Sequence, residues 1–243
     1  MKERLSYSTG KTLIKYRDMP EVAIWKLDNP TPPTQQMIMG TALEQMIAGA
    51  DDIAVFDGDR RAGDKWKAFS KLNKDKIILK RSEYDTLKVE MELVKALAPS
   101  VCEMEYQHHF EFEDRGVNVH GFLDFWDRGR IVVDLKRSDP EPMAFAKTAA
   151  NFFYALQAYI YHRATGDDFA WLIVGPDEPH PVRLYLPDDQ TLRIGAEMYE
   201  QAHELFVRYQ AGEFVPTKLK TEIVTSPGWL ARRFDNHQQE VAV

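Results

Sequence analysis

GFLDFWDRGRIVVDLK, residues 121–136, reads as two β-strands joined by a tight turn. Side chains alternate across a strand, so Val132, Asp134 and Lys136 point one way and Ile131, Val133 and Leu135 the other. A strand apolar on both faces belongs at the centre of a sheet. A carboxylate and an ammonium at its end are costly there without partners. With Asp127-Arg128-Gly129 as a three-residue turn and glycine in the left-handed position, Trp126 faces Arg130 and Asp124 faces Val132. Asp124, Asp134 and Lys136 then share one face of adjacent strands. Two carboxylates about 5–8 Å apart repel and resist joint burial. A divalent cation between them removes the conflict, and oxygen donors select Mg2+ or Mn2+ over zinc. Lys136 would then orient the attacking water or offset charge developing on a phosphate. The same spacing also suits an ordinary hairpin, with Asp124 at its surface and Asp134 paired with Lys136 at the strand end.

The surrounding sequence changes period. Before residue 99 it is helical: 8–18, a helix after the Pro-rich NPTPPT (29–34) that ends near Gly49, then 61–73 and 82–98, where Leu87, Met91, Val94 and Leu97 recur at helical spacing. From Val101 the pattern alternates and is rich in aromatic and β-branched residues. A long helix follows Ser138 or Asp139 and stops at Gly166, then FAWLIVG, PVRLYLP and a closing amphipathic helix. The order helix, three strands, helix, two strands, helix predicts an α/β fold, a mixed β-sheet flanked by helices. We expect one domain over 1–243: a mainly helical part at 1–98, the sheet and its helix at 99–186, the closing helix at 187–212 and a tail at 213–243.

Charge is uneven. The 243-residue chain has a formal net charge of −7, which alone argues against a nucleic-acid binder. Residues 60–81, however, hold nine Lys and Arg against Asp64 and Asp75, an excess of +7 that leaves −14 for the rest. Arg60, Arg61, Lys65, Lys67 and Lys71 are therefore candidates for a basic binding surface on an acidic body, or for an ordinary solvated helix. Cys102 is the one cysteine, which excludes an internal disulfide and a four-thiolate cluster. No apolar leader and no run of about 18 apolar residues stands in the sequence, so no membrane partner and a cytoplasmic location are expected.

Gly-x-x-Asp at 121–124, Asp-x-Lys at 134–136 and a helix carrying Gln157 and Tyr161 together resemble the PD-(D/E)XK nuclease superfamily, and within it the RecB-like branch with RecE (exonuclease VIII) and lambda-type exonucleases. LSYSTGKTLIKYRDMPEVAIWKLDNPTPPTQQMIMGTALEQMI (5–47) and DRRAGDKWKAF (59–69) extend the likeness over most of residues 5–175. The resemblance implies a restriction-endonuclease-like αβββαβ core with a helical N-terminal elaboration. It implies Mg2+, replaceable by Mn2+, held by Asp124, Asp134, the Leu135 carbonyl and Glu44, which stands where the group usually has histidine. It implies that Gln157 and Tyr161 support the site and that Arg137 and Ser138 bind phosphate. Alternatively Glu44 is a solvated helix residue, Arg137 and Ser138 lie in a plain loop, and Tyr154, on the Gln157 stripe with Lys147, packs the core.

The function implied is a metal-dependent 5′-to-3′ exonuclease on linear duplex DNA in phage-type recombination, acting in bacterial cytoplasm. Such enzymes form ring-shaped homo-oligomers and pass the exposed strand to an annealing protein. The rivals are a non-catalytic DNA-binding or scaffold module and a RecB-like nuclease acting on single strands or as an endonuclease. STGKT at 8–12 is not a phosphate loop, because Leu5 stands where the first glycine is needed. His108 and His109 point to opposite sides of a strand and are not a metal pair.

Overall fold

The computed structural model describes residues 2–50 and 52–215. Its centre is a five-stranded sheet, β3 (Glu105–Asp114), β4 (Val117–Asp127), β5 (Ile131–Arg137), β6 (Asp168–Val174) and β7 (Val182–Tyr185), in that spatial order. The pairs β3–β4, β4–β5 and β6–β7 are antiparallel; β5 and β6 are parallel. The parallel pair needs a crossover, supplied by α6 (Pro142–Phe152) and α7 (Tyr154–Thr165). The expected mixed sheet flanked by helices is thus observed. All of the expected tail except residues 213–215 lies outside the described residues.

Both faces are covered. Val132, Phe169 and Ile173 join a core with Leu13 of α1 (Tyr7–Lys15), Leu156 and Ile160 of α7 and Phe206 of α8 (Asp189–Gln210). Val133, Leu135, Leu172 and Val174 join Leu43 of α3 (Gln35–Ala48) and Leu87 and Val94 of α5 (Arg81–Leu97). This is why β5 and β6 are apolar on both faces. Asp134 and Lys136 share the parity of Val132 and so emerge on the α7 side.

The helix boundaries follow capping chemistry. Ser6 Oγ accepts from Thr9 N–H at 3.2 Å, Thr34 Oγ1 from Met37 N–H at 3.3 Å and Asp188 Oδ1 from Thr191 N–H at 2.7 Å. STGKT therefore lies inside α1. Two expectations are corrected. The long helix after Asp139 is broken at Phe153, which takes the left-handed conformation at φ 61°, so Lys147 is on α6 and leaves the Gln157 stripe. The N-terminal region also holds α2 (Pro20–Asp28) and a small parallel pair, β1 (Ile53–Phe56) and β2 (Ile77–Lys80), bridged by α4 (Gly63–Leu72). Four-residue strands leave too few alternations to read.

Candidate active site

The hairpin holds the expected faces through a shifted register. Asp127 pairs with Ile131 and Trp126 with Val132, so Arg128-Gly129-Arg130 is the turn and Gly129 takes φ 76°. Each cross-strand partner differs by two residues from the expected one. A shift of two preserves parity, so Asp124, Asp134 and Lys136 still share a face. Asp167 fixes the turn: its Oδ2 accepts from Trp126 Nε1 at 2.7 Å and from Gly129 N–H at 3.0 Å. Gly121 has a steric role. The Phe110 ring lies over it, and a Cβ there would stand 2.7 Å from that ring.

Asp124 sits where the ladder is interrupted. The β3–β4 pairing runs through Tyr106–Phe125 and His108–Leu123 but skips Gln107 and Asp124. Gln107 is left-handed at φ 52°, a conformation that costs a non-glycine residue on the order of 1–2 kcal/mol. The β4–β5 pairing ends at Phe125–Val133. Beyond it, Asp124 Oδ2 accepts from Leu135 N–H at 3.1 Å. Burial raises the Asp124 pKa well above the carboxylate range, and the negative charges of Asp134 and Glu44 raise it further.

Asp134 is 1% exposed and held from two sides. Gln157 Nε2 donates to its Oδ1 at 2.8 Å and also lies 3.2 Å from the Tyr161 hydroxyl. Lys136 Nζ makes an ion pair with its Oδ2. Burial alone would lower the Lys136 pKa; Asp134 and Asp124 outweigh it and hold the ammonium charged. Tyr161 is buried, and burial keeps its hydroxyl protonated. Glu44 reaches this field from α3 on the opposite face. Burial pushes its pKa up to about 7; Lys136 opposes the rise and Asp134 adds to it.

Glu44 yields a pH prediction. Its folded pKa lies above its unfolded one, so the folded state binds the extra proton and stability falls as pH rises toward and through about 7. Replacing Glu44 by Gln removes that loss. In chelator, the stability lost between pH 6 and pH 8 should be about 1 kcal/mol smaller in Glu44→Gln than in the wild type. Paired denaturant titrations at the two pH values measure it; equal losses would make Glu44 a solvated residue.

Three tyrosines escaped the sequence reading as site residues. Tyr7, the first residue of α1, donates to the Phe152 carbonyl. Burial raises its pKa, and Lys136, Tyr154 and Asp134 lie close enough to act on it. The Tyr154 ring lies 5.4 Å from Lys136 Nζ while also stacking on Trp171 at 6.5 Å, so it serves core and site together. Tyr106, on β3, has its pKa pushed up to about 12 by burial and by Glu44 and Asp124. Ser6, the N-cap of α1, is the sequence signal that could have placed Tyr7 at the start of that helix.

The phosphate candidates divide. Lys65, Lys67 and Lys71 lie exposed along α4, and Arg60 is exposed before it. Arg61 is committed elsewhere: it pairs with Glu83 and caps the start of α5 through it. Arg137 is corrected outright. Its side chain is 5% exposed, it binds the fully buried Glu90 through both Nε and Nη2, and it also holds Gln36 Oε1 and the Pro176 carbonyl. Ser138 is half-buried with its N–H on the Val174 carbonyl. Arg137→Ala should therefore lower stability by about 3–5 kcal/mol, because it leaves the buried Glu90 with only the His180 ring, 3.2 Å away, beside it. Chemical denaturation checks this; an unchanged midpoint would return Arg137 to the surface.

No family model and no curated protein sequence matches this chain. Among solved structures, a protein from Eubacterium rectale, provisionally described as an exonuclease, superposes with a TM-score of 0.64 at 16% identity, over 91% of each chain. At that identity the likeness establishes the fold. A second structure, SSO0001, matches at a TM-score of 0.36 and 14% identity over 85% of this chain and 76% of its own, too loosely to carry an argument.

Proposed function

We propose that this protein is a metal-dependent deoxyribonuclease, a 5′-to-3′ exonuclease on linear duplex DNA. One observation carries the reading. A buried Asp134 is clamped between Gln157 and Lys136 beside a second carboxylate, Asp124, whose proton affinity its neighbours raise. A structural ion pair needs no such second and third carboxylate; a cation site does. The donor set fits a hard cation by its chemistry, since Glu44, Asp124 and Asp134 offer only oxygen and load one another with negative charge. Among the described residues no three His, Cys, Asp or Glu side chains already converge on one point. Glu44, Asp124 and Asp134 are the residues that would hold Mg2+ or Mn2+, with the Leu135 carbonyl as the fourth donor implied by the sequence resemblance. Such an ion supplies Lewis acidity toward the phosphate and the attacking water.

The protein's own groups account for the rest. Lys136 is held as an ammonium, so it acts by donating hydrogen bonds and offsetting charge that builds on the phosphate, and takes no proton from water. Asp134 keeps Lys136 in place. Gln157 fixes the Asp134 carboxylate, and Tyr161 fixes Gln157 from below. The exposed lysines of α4 offer a backbone-binding face for the duplex.

The E. rectale neighbour's description agrees with nuclease chemistry. Polarity, the ring-shaped homo-oligomer, the recombination role and the annealing partner rest on the sequence resemblance. The test is incubation with Mg2+ of linear duplex labelled at one 5′ end, with covalently closed circle as control. Release of labelled mononucleotides from the linear substrate alone is expected. Rapid cutting of the circle would overturn the exonuclease reading in favour of an endonuclease.

A further inference from the structure

A ladder of cations and aromatic rings leads out of the site along the elbow between α6 and α7. Lys136 Nζ lies 5.4 Å from the centre of the Tyr154 ring. Tyr154 stacks on Phe152, with ring centres 6.0 Å apart and planes at 26°. Lys11 Nζ, on α1, stands 5.9 Å from the Phe152 ring and 4.9 Å from the Tyr7 ring. Farther along α1, the Tyr16 ring lies between Lys15 Nζ at 5.6 Å and Lys26 Nζ at 5.5 Å. Among the described residues Lys11, Lys15 and Lys26 make no ion pair; Lys15 is exposed, Lys11 and Lys26 are half-buried. A groove of about 870 Å3 runs here, lined by Lys11, Lys15, Arg17, Asn151 and Phe152 among others.

Phe152 is the unusual member. It is 51% exposed although large aromatic rings favour burial. It stays out because the next residue, Phe153, reverses the chain in the left-handed conformation, where a bulky side chain is rare. Its carbonyl is held by the Tyr7 hydroxyl. The ring is thus fixed in place and open on one side, between Lys11 and the carboxylate–lysine centre. Basic grooves interleaved with open aromatic faces suit unpaired nucleotides, whose bases stack and whose phosphates pair with lysine.

We propose that this elbow is a single-strand track that feeds the site. An unpaired base of the scissile strand stacks on Phe152, and Lys11 and Lys15 hold the flanking phosphates, which directs the next phosphate toward Lys136. The proposal rests on the nuclease reading and names how its substrate arrives: unpaired over the last nucleotides, even where the bulk of the substrate is duplex. Burial, and after it the positive charges of Lys136 and Lys15, lower the Lys11 pKa; a phosphate seated between these lysines would offset that repulsion.

The experiment titrates the protein, in EDTA so that nothing is cut, into a short single-stranded DNA carrying 2-aminopurine, at several salt concentrations. Stacking on Phe152 should change the 2-aminopurine emission, and the same probe inside a blunt duplex should give no such signal. Phe152→Ala should weaken binding roughly tenfold and remove the signal, while Phe152→Tyr restores both. Lys11→Gln with Lys15→Gln should keep the signal at saturation and reduce the salt slope by about 0.7 per lysine. Circular dichroism confirms that each variant is folded. If Phe152→Ala and the lysine pair bind with wild-type affinity, slope and signal, the track is wrong; cleavage by wild type with Mg2+ would leave the nuclease reading standing. A wild-type protein that neither binds the probe nor cuts DNA with Mg2+ overturns both.

Discussion

Lys136→Ala should lower the cleavage rate by about 10²–10⁴-fold, the range for loss of one charge-stabilising group, and should leave the fold standing. The side chain lies at the end of β5 and is 21% exposed, so its removal opens no large cavity. The loss falls on kcat, since the ammonium matters where charge builds on the phosphate and less where the substrate merely docks. The deletion also strips Asp134 of its ion-pair partner and leaves it beside Asp124. The apoprotein should therefore be less stable than the wild type. Single-turnover kinetics at saturating DNA, with thermal unfolding alongside, separate the two effects. Cleavage at the wild-type rate would remove Lys136 from the mechanism.

Chelation should have the other large effect: the rate is expected to fall to background in EDTA and to return with Mg2+ or Mn2+. The cause is electrostatic. Asp124 and Glu44 both have raised pKa values, with burial the first cause and neighbouring carboxylates adding to it. Each group would rather hold a proton than share the site with another anion. A substrate phosphate adds more negative charge, and the single positive charge of Lys136 already faces Asp134 and Asp124. Zinc should support little activity, because the set holds no sulfur or imidazole. Full activity in EDTA would mean that these carboxylates serve folding.

The shared face of the candidate site was legible in the sequence because strand parity is robust. Asp124, Asp134 and Lys136 share a face whether the turn is Asp127-Arg128-Gly129 or Arg128-Gly129-Arg130, since the two differ by an even shift. The apolar run of β5 revealed burial on both faces, and the cost of charges at its end pointed to the site. What stayed hidden depends on contacts distant in sequence. Arg137 looks like a phosphate ligand until Glu90, 47 positions away, is found buried against it. Arg61 looks free until Glu83 takes it. The break at Phe153 had no glycine or proline to announce it, because tertiary contacts of Tyr7 and Trp171 with its neighbours hold a conformation that the residue itself disfavours. β1 and β2 were too short for a period to register.

The most direct measurement is cleavage of linear duplex DNA with Mg2+ by the wild type and by Asp134→Asn. The variant keeps the shape at the end of β5 and an oxygen for the Gln157 amide, so circular dichroism should match. It removes the charge that holds Lys136 and would hold the cation. The account predicts Mg2+-dependent cleavage by the wild type and a rate at least about 10³-fold lower in the variant. A folded Asp134→Asn that cleaves as fast as the wild type, or a wild type that leaves the DNA intact, would contradict it.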